Sequence, residues 1–529
     1  MKNNKNEGVI KKVSSIRNKV ILLENLWKPT KGFLLISAFS IMLVGLGLIW
    51  FVQKEIYGDI ITSLRNPGAG GPAWGLWVMF IIYFVGISFA GITLSALVRL
   101  FGLEELRVLT RSAELITIIS LILGALCVLA DQGRVFYALL NLPRYARPMS
   151  PMFGTFSLVI SGYLSASLIY FYLSSRKDAF ELSKYFEGSK MKRLLYKIWT
   201  AGWRGTYSQE KRHEKSSFWL AIFILPLLVT AHSTLGFIFG IQVGRPGWFS
   251  ALQAPGFVIM AGISGIGLIM VVAYILRKIY KLEELIGERT FYTLGFILFV
   301  LLTIYLYFTV VEELTAHYAA PEKDRYIAHQ ITIGKFAPIF WINVVSLLFP
   351  AIYLFYQTIT RRVNIFITAL SGFIVNVSAV LKRFLIVVPS QTHGLYLPYQ
   401  EGSYFPALSE IVILLGIIGF GILLFIFFAK IFPIIPLEVL EGEKEEEKEE
   451  KKKEEEVYLP SRVRLIFTFG TIALGLFLMV LGFVFSARFG TKPYLDPILP
   501  FSPVIFISGV IISFFSAVVY ELFPSRRRI

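Results

Sequence analysis

The sequence predicts an all-α polytopic membrane protein. Of its 529 residues 55% are hydrophobic, and the mean hydropathy is +0.66. Twelve apolar runs are each long enough, at about 1.5 Å per residue, to cross roughly 30 Å of hydrocarbon. Lysine and arginine crowd into alternate loops, as they do on the cytoplasmic side of a membrane. A soluble enzyme with one anchor is excluded by this composition.

Residues 1–32 form a basic segment with Val9, Val13, Ile16, Val20, Leu23 and Trp27 at helical spacing. Two readings stand: an amphipathic helix on the inner surface, or a basic flank of the first span. The spans fall near 33–52, 74–98, 113–130, 151–173, 217–240, 252–276, 291–311, 334–356, 363–388, 409–429, 464–486 and 501–520. Lysine and arginine crowd the first 32 residues and the loop 174–216, and mark Arg361–Arg362 and the C terminus, all on one side of the alternation. The opposite loops are sparse, with only Lys54 and Arg65 in 53–73 and only Arg245 in 241–251. Both termini are therefore expected in the cytoplasm of a cell whose plasma membrane holds the protein. The net charge of +17 is explained by these loops, and no nucleic-acid partner is implied. Residues 441–456 are a charged low-complexity linker, and 461–529 an appended transmembrane hairpin expected to be dispensable for the chemistry.

The single cysteine, Cys127, excludes an intrachain disulfide and a four-cysteine iron–sulfur cluster. Among five histidines only His232 lies inside a span, which argues against a two-ligand haem. No zinc spacing, phosphate loop or serine elbow is present, so neither metal nor covalent catalysis is expected.

The stretch Asp131 to Gly154, DQGRVFYALLNLPRYARPMSPMFG, separates the third and fourth spans. Proline and glycine stop both helices, and Tyr137 suits the interfacial belt. Asp131 needs a partner, and Arg134, three residues on, is the nearest in sequence. Charge inside a span is costly, so each case marks either a packed polar seam or a working group. Glu114 opens the third span and Asp131 closes it; Thr117, Gly124 and Asp131 recur every seven residues on one face. This stripe is either a seam between helices or a proton path. His232 follows Pro226 and sits among Thr230, Ser233 and Thr234, which suggests a wet pocket. Lys382 and Arg383 either snorkel outward or are held in the bundle with Asn376; Glu410 opens the tenth span.

Six segments in order resemble the NrfD/polysulfide reductase membrane-subunit family, most of all its ten-helix members, as in alternative complex III. They are DQGR with SPMFG, AHSTLGFIFG, GRPGWFSALQAPGFVIMAG, NVSAVLKRFLIVV, GSYFPALSE and FPIIPLE. The resemblance covers spans one to ten, about 33–440. It implies two four-helix bundles, at about 74–240 and 252–388, flanked by spans one and ten. It implies a quinone site near the outer face, no haem, cluster or metal in this chain, and a docked iron–sulfur subunit beside a molybdopterin-type catalytic subunit. On that basis Asp131, Arg134, Tyr137, His232, Arg245 and Trp248 are the expected quinone-binding residues, with the head between spans three and five. Glu114, Thr117, Asn376, Lys382, Arg383 and Glu410 are the expected proton-path or intramembrane polar residues. A twelve-span secondary transporter and a purely structural membrane anchor are the competing readings.

Overall fold

The computed structural model describes residues 19–65, 71–145, 148, 154–393, 401–441, 458–459, 462–486, 501–522 and 526–527. Residues 442–457, which include all of the 441–456 linker but its first residue, and most of 146–153 lie outside them. The long helices are α1 (Lys31–Tyr57), α2 (Leu76–Phe101), α3 (Thr110–Asp131), α4 (Val135–Tyr145), α5 (Gly154–Tyr185), α6 (Lys190–Thr200), α7 (Tyr207–Gly240), α8 (Gln253–Ile279) and α9 (Glu288–Tyr318). They continue as α10 (Glu322–Thr332), α11 (Ala337–Thr360), α12 (Ile365–Val387), α13 (Leu408–Ile431), α14 (Arg462–Ser486) and α15 (Phe501–Leu522). Among the described residues eleven helices are long and apolar enough to span a membrane. The expected fourth span is occupied by α5, which stands apart from these eleven.

Helix ends follow the local sequence. Thr30 caps α1 by accepting the Phe33 N–H, and Asn364 caps α12 by accepting from Ile367. Gly102 ends α2 in the left-handed conformation, φ +67°, and returns its N–H to Val98.

Helices α2, α3, α5 and α7 pack as one four-helix bundle, and α8, α9, α11 and α12 as a second. The bundles meet where α2 and α7 lie on α8, and α2 on α12. Helix α1 packs on α13, which also touches α3. The hairpin α14–α15 docks through α15 on α5 and α7. This is the arrangement the resemblance implied. We call the side holding α6 the basic face and the opposite side the far face.

Close approach is set by small residues. A Cβ at Gly91 would collide with the Ala113 carbonyl oxygen and the Thr117 hydroxyl, whereas one at Gly86 would meet Ser264 Oγ at an ordinary 3.4 Å. Gly91→Ala is therefore expected to cost about 1–3 kcal/mol by overpacking the α2–α3 crossing, and Gly86→Ala almost nothing. Thermal midpoints in detergent check this, and equal midpoints would contradict it.

Candidate functional site

Among the described residues, polar side chains inside the membrane domain collect in three places. The first is the far-face end of α1, α2, α3 and α13. Asp131 closes α3, and Arg65 Nη2 donates to its Oδ2 at 3.1 Å and to its carbonyl at 2.9 Å. Arg65 Nη1 reaches Asp59 Oδ2 at 2.9 Å. Lys54 is fully buried near the end of α1, 3.9 Å from both Glu55 Oε1 and Asp59 Oδ1, with its ammonium over the Trp77 ring. Three carboxylates thus face two cations. Asp131 Oδ1, Asp59 Oδ1 and Glu55 Oε1 are buried without a hydrogen-bond partner. Orphaned buried acceptors of this kind are costly unless a proton or a ligand meets them.

Beside this cluster lies Glu410, fully buried at the start of α13. Its Oε1 accepts from the Ser63 N–H at 2.9 Å and the Ala407 N–H at 3.2 Å, and its Oε2 from the Tyr404 hydroxyl at 2.6 Å. The Ala407 bond is the return half of a capping box; alanine has no group for the other half. Tyr404 in turn accepts the first N–H of α2, from Leu76, at 2.7 Å. Where the two bundles meet, Trp74 stacks on Trp248 at 5.7 Å, and Trp248 donates to the Ile386 carbonyl. Gln391 holds both backbone polar groups of Trp74.

The second place is the interior of the first bundle. Glu114 accepts from Ser95 at 2.8 Å and Ser174 at 2.7 Å. Thr117 donates to the Ser88 carbonyl and accepts the Gly91 N–H, and Tyr163 donates to the same carbonyl. Three residues further along α2, the Val85 carbonyl meets His232 Nε2 at 2.9 Å, while Nδ1 faces the Leu228 carbonyl at 2.8 Å. A neutral imidazole has one N–H, so it can donate to only one of these carbonyls. Below Glu114 a polar cavity of about 610 Å³ opens toward the basic face, lined by Arg99, Arg111, Asp178, His213 and Glu438 among others. Arg111 pairs with Asp178 at 3.0 Å. Burial opposes the charge on Glu438, yet Lys177 and Arg107, at 3.5 and 3.1 Å, hold its carboxyl below the usual range.

The third place is the second bundle. Lys382 pairs with Glu312 at 2.9 Å, and Arg383, 1% exposed, lies over the Phe257 ring at 4.8 Å. Neither side chain snorkels. Asn376 accepts from Tyr83 across the bundle interface at 3.0 Å. That pair stands on the wall of an apolar slot of about 500 Å³ between α2, α3, α8, α12 and α13. Its outermost lining residues on α2, α3 and α13 are Phe80, Leu123 and Ile418. They lie three, eight and eight residues from Trp77, Asp131 and Glu410, or roughly 5–12 Å along the helices.

Several expectations need correcting. Arg134 does not pair with Asp131: it is exposed and lies over the Tyr137 ring, itself exposed, while Arg65 takes the acid. Asp131 and His232 do not share one pocket, because α3 and α7 stand diagonally across the bundle and His232 bonds to α2. Thr230 faces outward and bonds the Pro226 carbonyl rather than lining a pocket with His232. Arg245 lies over Trp248 at 5.8 Å, away from Asp131's contacts. The residues missed were Lys54 and Arg65, Tyr404 and Gln391. Their signal was present: Lys54 and Arg65 are the lone cations of a loop otherwise free of them.

Comparison with known proteins adds the following. The family model described as polysulphide reductase, NrfD, matches residues 67–393. A putative dimethyl sulfoxide reductase membrane subunit of Halobacterium salinarum is 30% identical over 289 residues, 54% of this chain and 60% of that protein. A selenate reductase subunit of Mesobacillus selenatarsenatis is 27% identical over 386 residues, 68% of this chain and 86% of its own length. An Hdr-like menaquinol oxidoreductase integral membrane subunit of Archaeoglobus fulgidus is 26% identical over 410 residues, 75% and 92% respectively.

Proposed function

Because this chain belongs to the NrfD polysulphide reductase family, we propose that it is the quinone- or quinol-interacting membrane subunit of a multi-subunit respiratory oxidoreductase. The observation that carries the reading is the apolar slot whose far-face end, along three helices, lies roughly 5–12 Å from the level of the Asp131–Arg65–Lys54 cluster. A quinone needs an apolar channel for its tail and polar groups at its head. The slot supplies the first, and the cluster, with orphaned carboxylate oxygens, the second. Quinol oxidation releases two protons and two electrons. In this reading Asp131 Oδ1 receives one proton from the head, the second passes to water on the far face, and both electrons leave through an iron–sulfur subunit docked there. Exposed Ile60, Phe136, Leu140 and Phe405 support a partner there. A molybdopterin-type catalytic partner makes up the rest of the complex in this reading; two relatives are named as subunits of a dimethyl sulfoxide reductase and of a selenate reductase.

The first bundle supports a proton-coupled version. The basic-face cavity reaches Glu114, and Thr117, Ser88, Tyr163 and His232 continue the polar line along α2. The basic face is then cytoplasmic, as the lysine and arginine asymmetry requires. The chain itself carries no haem, cluster or metal in this reading, since Cys127 is alone and both His232 nitrogens face carbonyls.

Ile422 lines the slot near its lipid-facing mouth. Ile422→Trp is expected to block it. Excluding even two tail methylenes costs ~1.6 kcal/mol, hence more than tenfold in affinity. Turnover of a long-tailed quinol at limiting concentration should fall accordingly, and that of a short-tailed analogue should not. Equal turnover of both would remove the slot from the reading.

A further inference from the structure

Glu521 sits in the last turn of α15, outside residues 67–393. Its carboxylate is 1% exposed and its two oxygens are divided. Oε2 accepts from Arg176 Nη1 at 2.9 Å. Oε1 faces His213 Nδ1 at 3.1 Å and accepts the Ser216 hydroxyl. Arg176 is fixed in turn, donating Nε to the Thr200 carbonyl at 3.0 Å and lying on the Trp203 ring. His213 packs its edge on Trp203, and its Nε2 lies 3.5 Å from Ser217 Oγ. His213 and Ser217 line the cavity that reaches Glu114.

A latch for the hairpin would need only the Arg176–Glu521 pair. The second oxygen does something more. A carboxylate on Nδ1 holds the ring with its proton on that nitrogen, and leaves Nε2 as an acceptor that meets only the long 3.5 Å contact from Ser217 Oγ. The Arg176 guanidinium supplies the countercharge, so the carboxylate faces the imidazole as an acceptor only.

We propose that Glu521 of the C-terminal hairpin positions His213 as a proton relay in the wall of the basic-face cavity. Nε2 takes a proton from cavity water while Nδ1–H stays on Glu521. Nε2 then returns that proton to water on the Glu114 side, the Glu114 carboxylate takes it, and His213 is neutral again. The cavity is far larger than the ~30 Å³ a water molecule needs, and its walls are polar. The hairpin is then a working part of the membrane domain, against the expectation that it is dispensable. The inference rests on the proton-coupled reading above.

The test uses the whole complex with ¹⁵N-labelled histidine, His213 being assigned by the signal lost in His213→Gln. The wild-type ring should carry its proton on Nδ1. In Glu521→Gln the amide oxygen stays with Arg176 and its NH₂ faces Nδ1, so the proton should move to Nε2. Glu521→Gln and His213→Gln should each lower quinol-driven proton uptake from the basic face about tenfold, the scale of one lost proton-transfer group. The double variant should lose no more than either single one, as expected of residues acting as a unit. Imidazole in the medium should restore His213→Gln. A wild-type ring protonated on Nε2, multiplied losses in the double variant, or uptake unchanged by both substitutions overturns the relay. If the wild-type complex takes up no protons from this face at all, the proton-coupled reading fails and the relay with it.

Discussion

Replacing Asp131 by asparagine is expected to leave the complex assembled and to lower quinol turnover by at least about tenfold, the scale of one lost proton acceptor. The argument is in how the two carboxylate oxygens are used. Oδ2 is committed to Arg65, and Oδ1 is buried with no partner. Asparagine can keep its oxygen on Arg65, but it then presents NH₂ where Oδ1 stood. That group cannot take a proton, and it offers a donor where the quinol hydroxyl needs an acceptor. Arg65→Gln should cause a similar loss, because it frees Asp131 from its orientation. The double variant should fall well short of the product of the two losses. Steady-state turnover with a water-soluble quinol, beside a check of subunit stoichiometry, decides the matter. A wild-type rate in Asp131→Asn would move the quinone head elsewhere, with Arg383 in the second bundle as the next place to look.

The largest effect on stability is expected at Glu410. Glu410→Ala removes the acceptor for the Ser63 and Ala407 N–H groups and for the Tyr404 hydroxyl. Each buried group left unpaired costs about 1–3 kcal/mol, so the sum is on the order of 3–5 kcal/mol or more. Glu410→Gln keeps one oxygen and should cost markedly less. Unfolding in mixed micelles, followed by tryptophan fluorescence, measures both, and a small loss in Glu410→Ala would show that the loops are held elsewhere. This acid was expected as a proton-path or intramembrane polar residue. Its surroundings are those of a structural knot, with every oxygen already engaged.

The spans were legible because hydropathy and helix length are local properties, and each of α1 to α15 that crosses the membrane coincides with an apolar run. The bundles were legible only through the resemblance, since no local signal says that α3 and α7 stand on a diagonal. The partner of Asp131 was misread for a geometric reason. Arg134 is three residues on but lies past the end of α3, where the chain turns outward. Arg65 is 66 residues away in sequence and 3.1 Å away in space. His232 was recognised as a buried polar group, but its acceptors are backbone carbonyls, which every residue has and no sequence pattern marks. The basic-face cavity, built from four separate stretches, had no sequence signature at all.

The knot at Glu410 also sets a clock. Ser63 and Glu410 are 347 residues apart. A ribosome adding about 5–20 residues per second needs roughly twenty seconds to over a minute to cover that distance. Throughout that interval α1 waits in the bilayer without α13, its main helical neighbour, and the loop carrying Asp59 and Arg65 has nothing to close on. The far-face cluster is therefore among the last parts to be assembled during biogenesis. A chain released before α13 emerges would hold both four-helix bundles and yet leave Arg65 and Asp131 without the acid that ties their loop in place. Insertion factors that shelter α1 for that minute should matter more to the yield of active protein than those acting on either bundle.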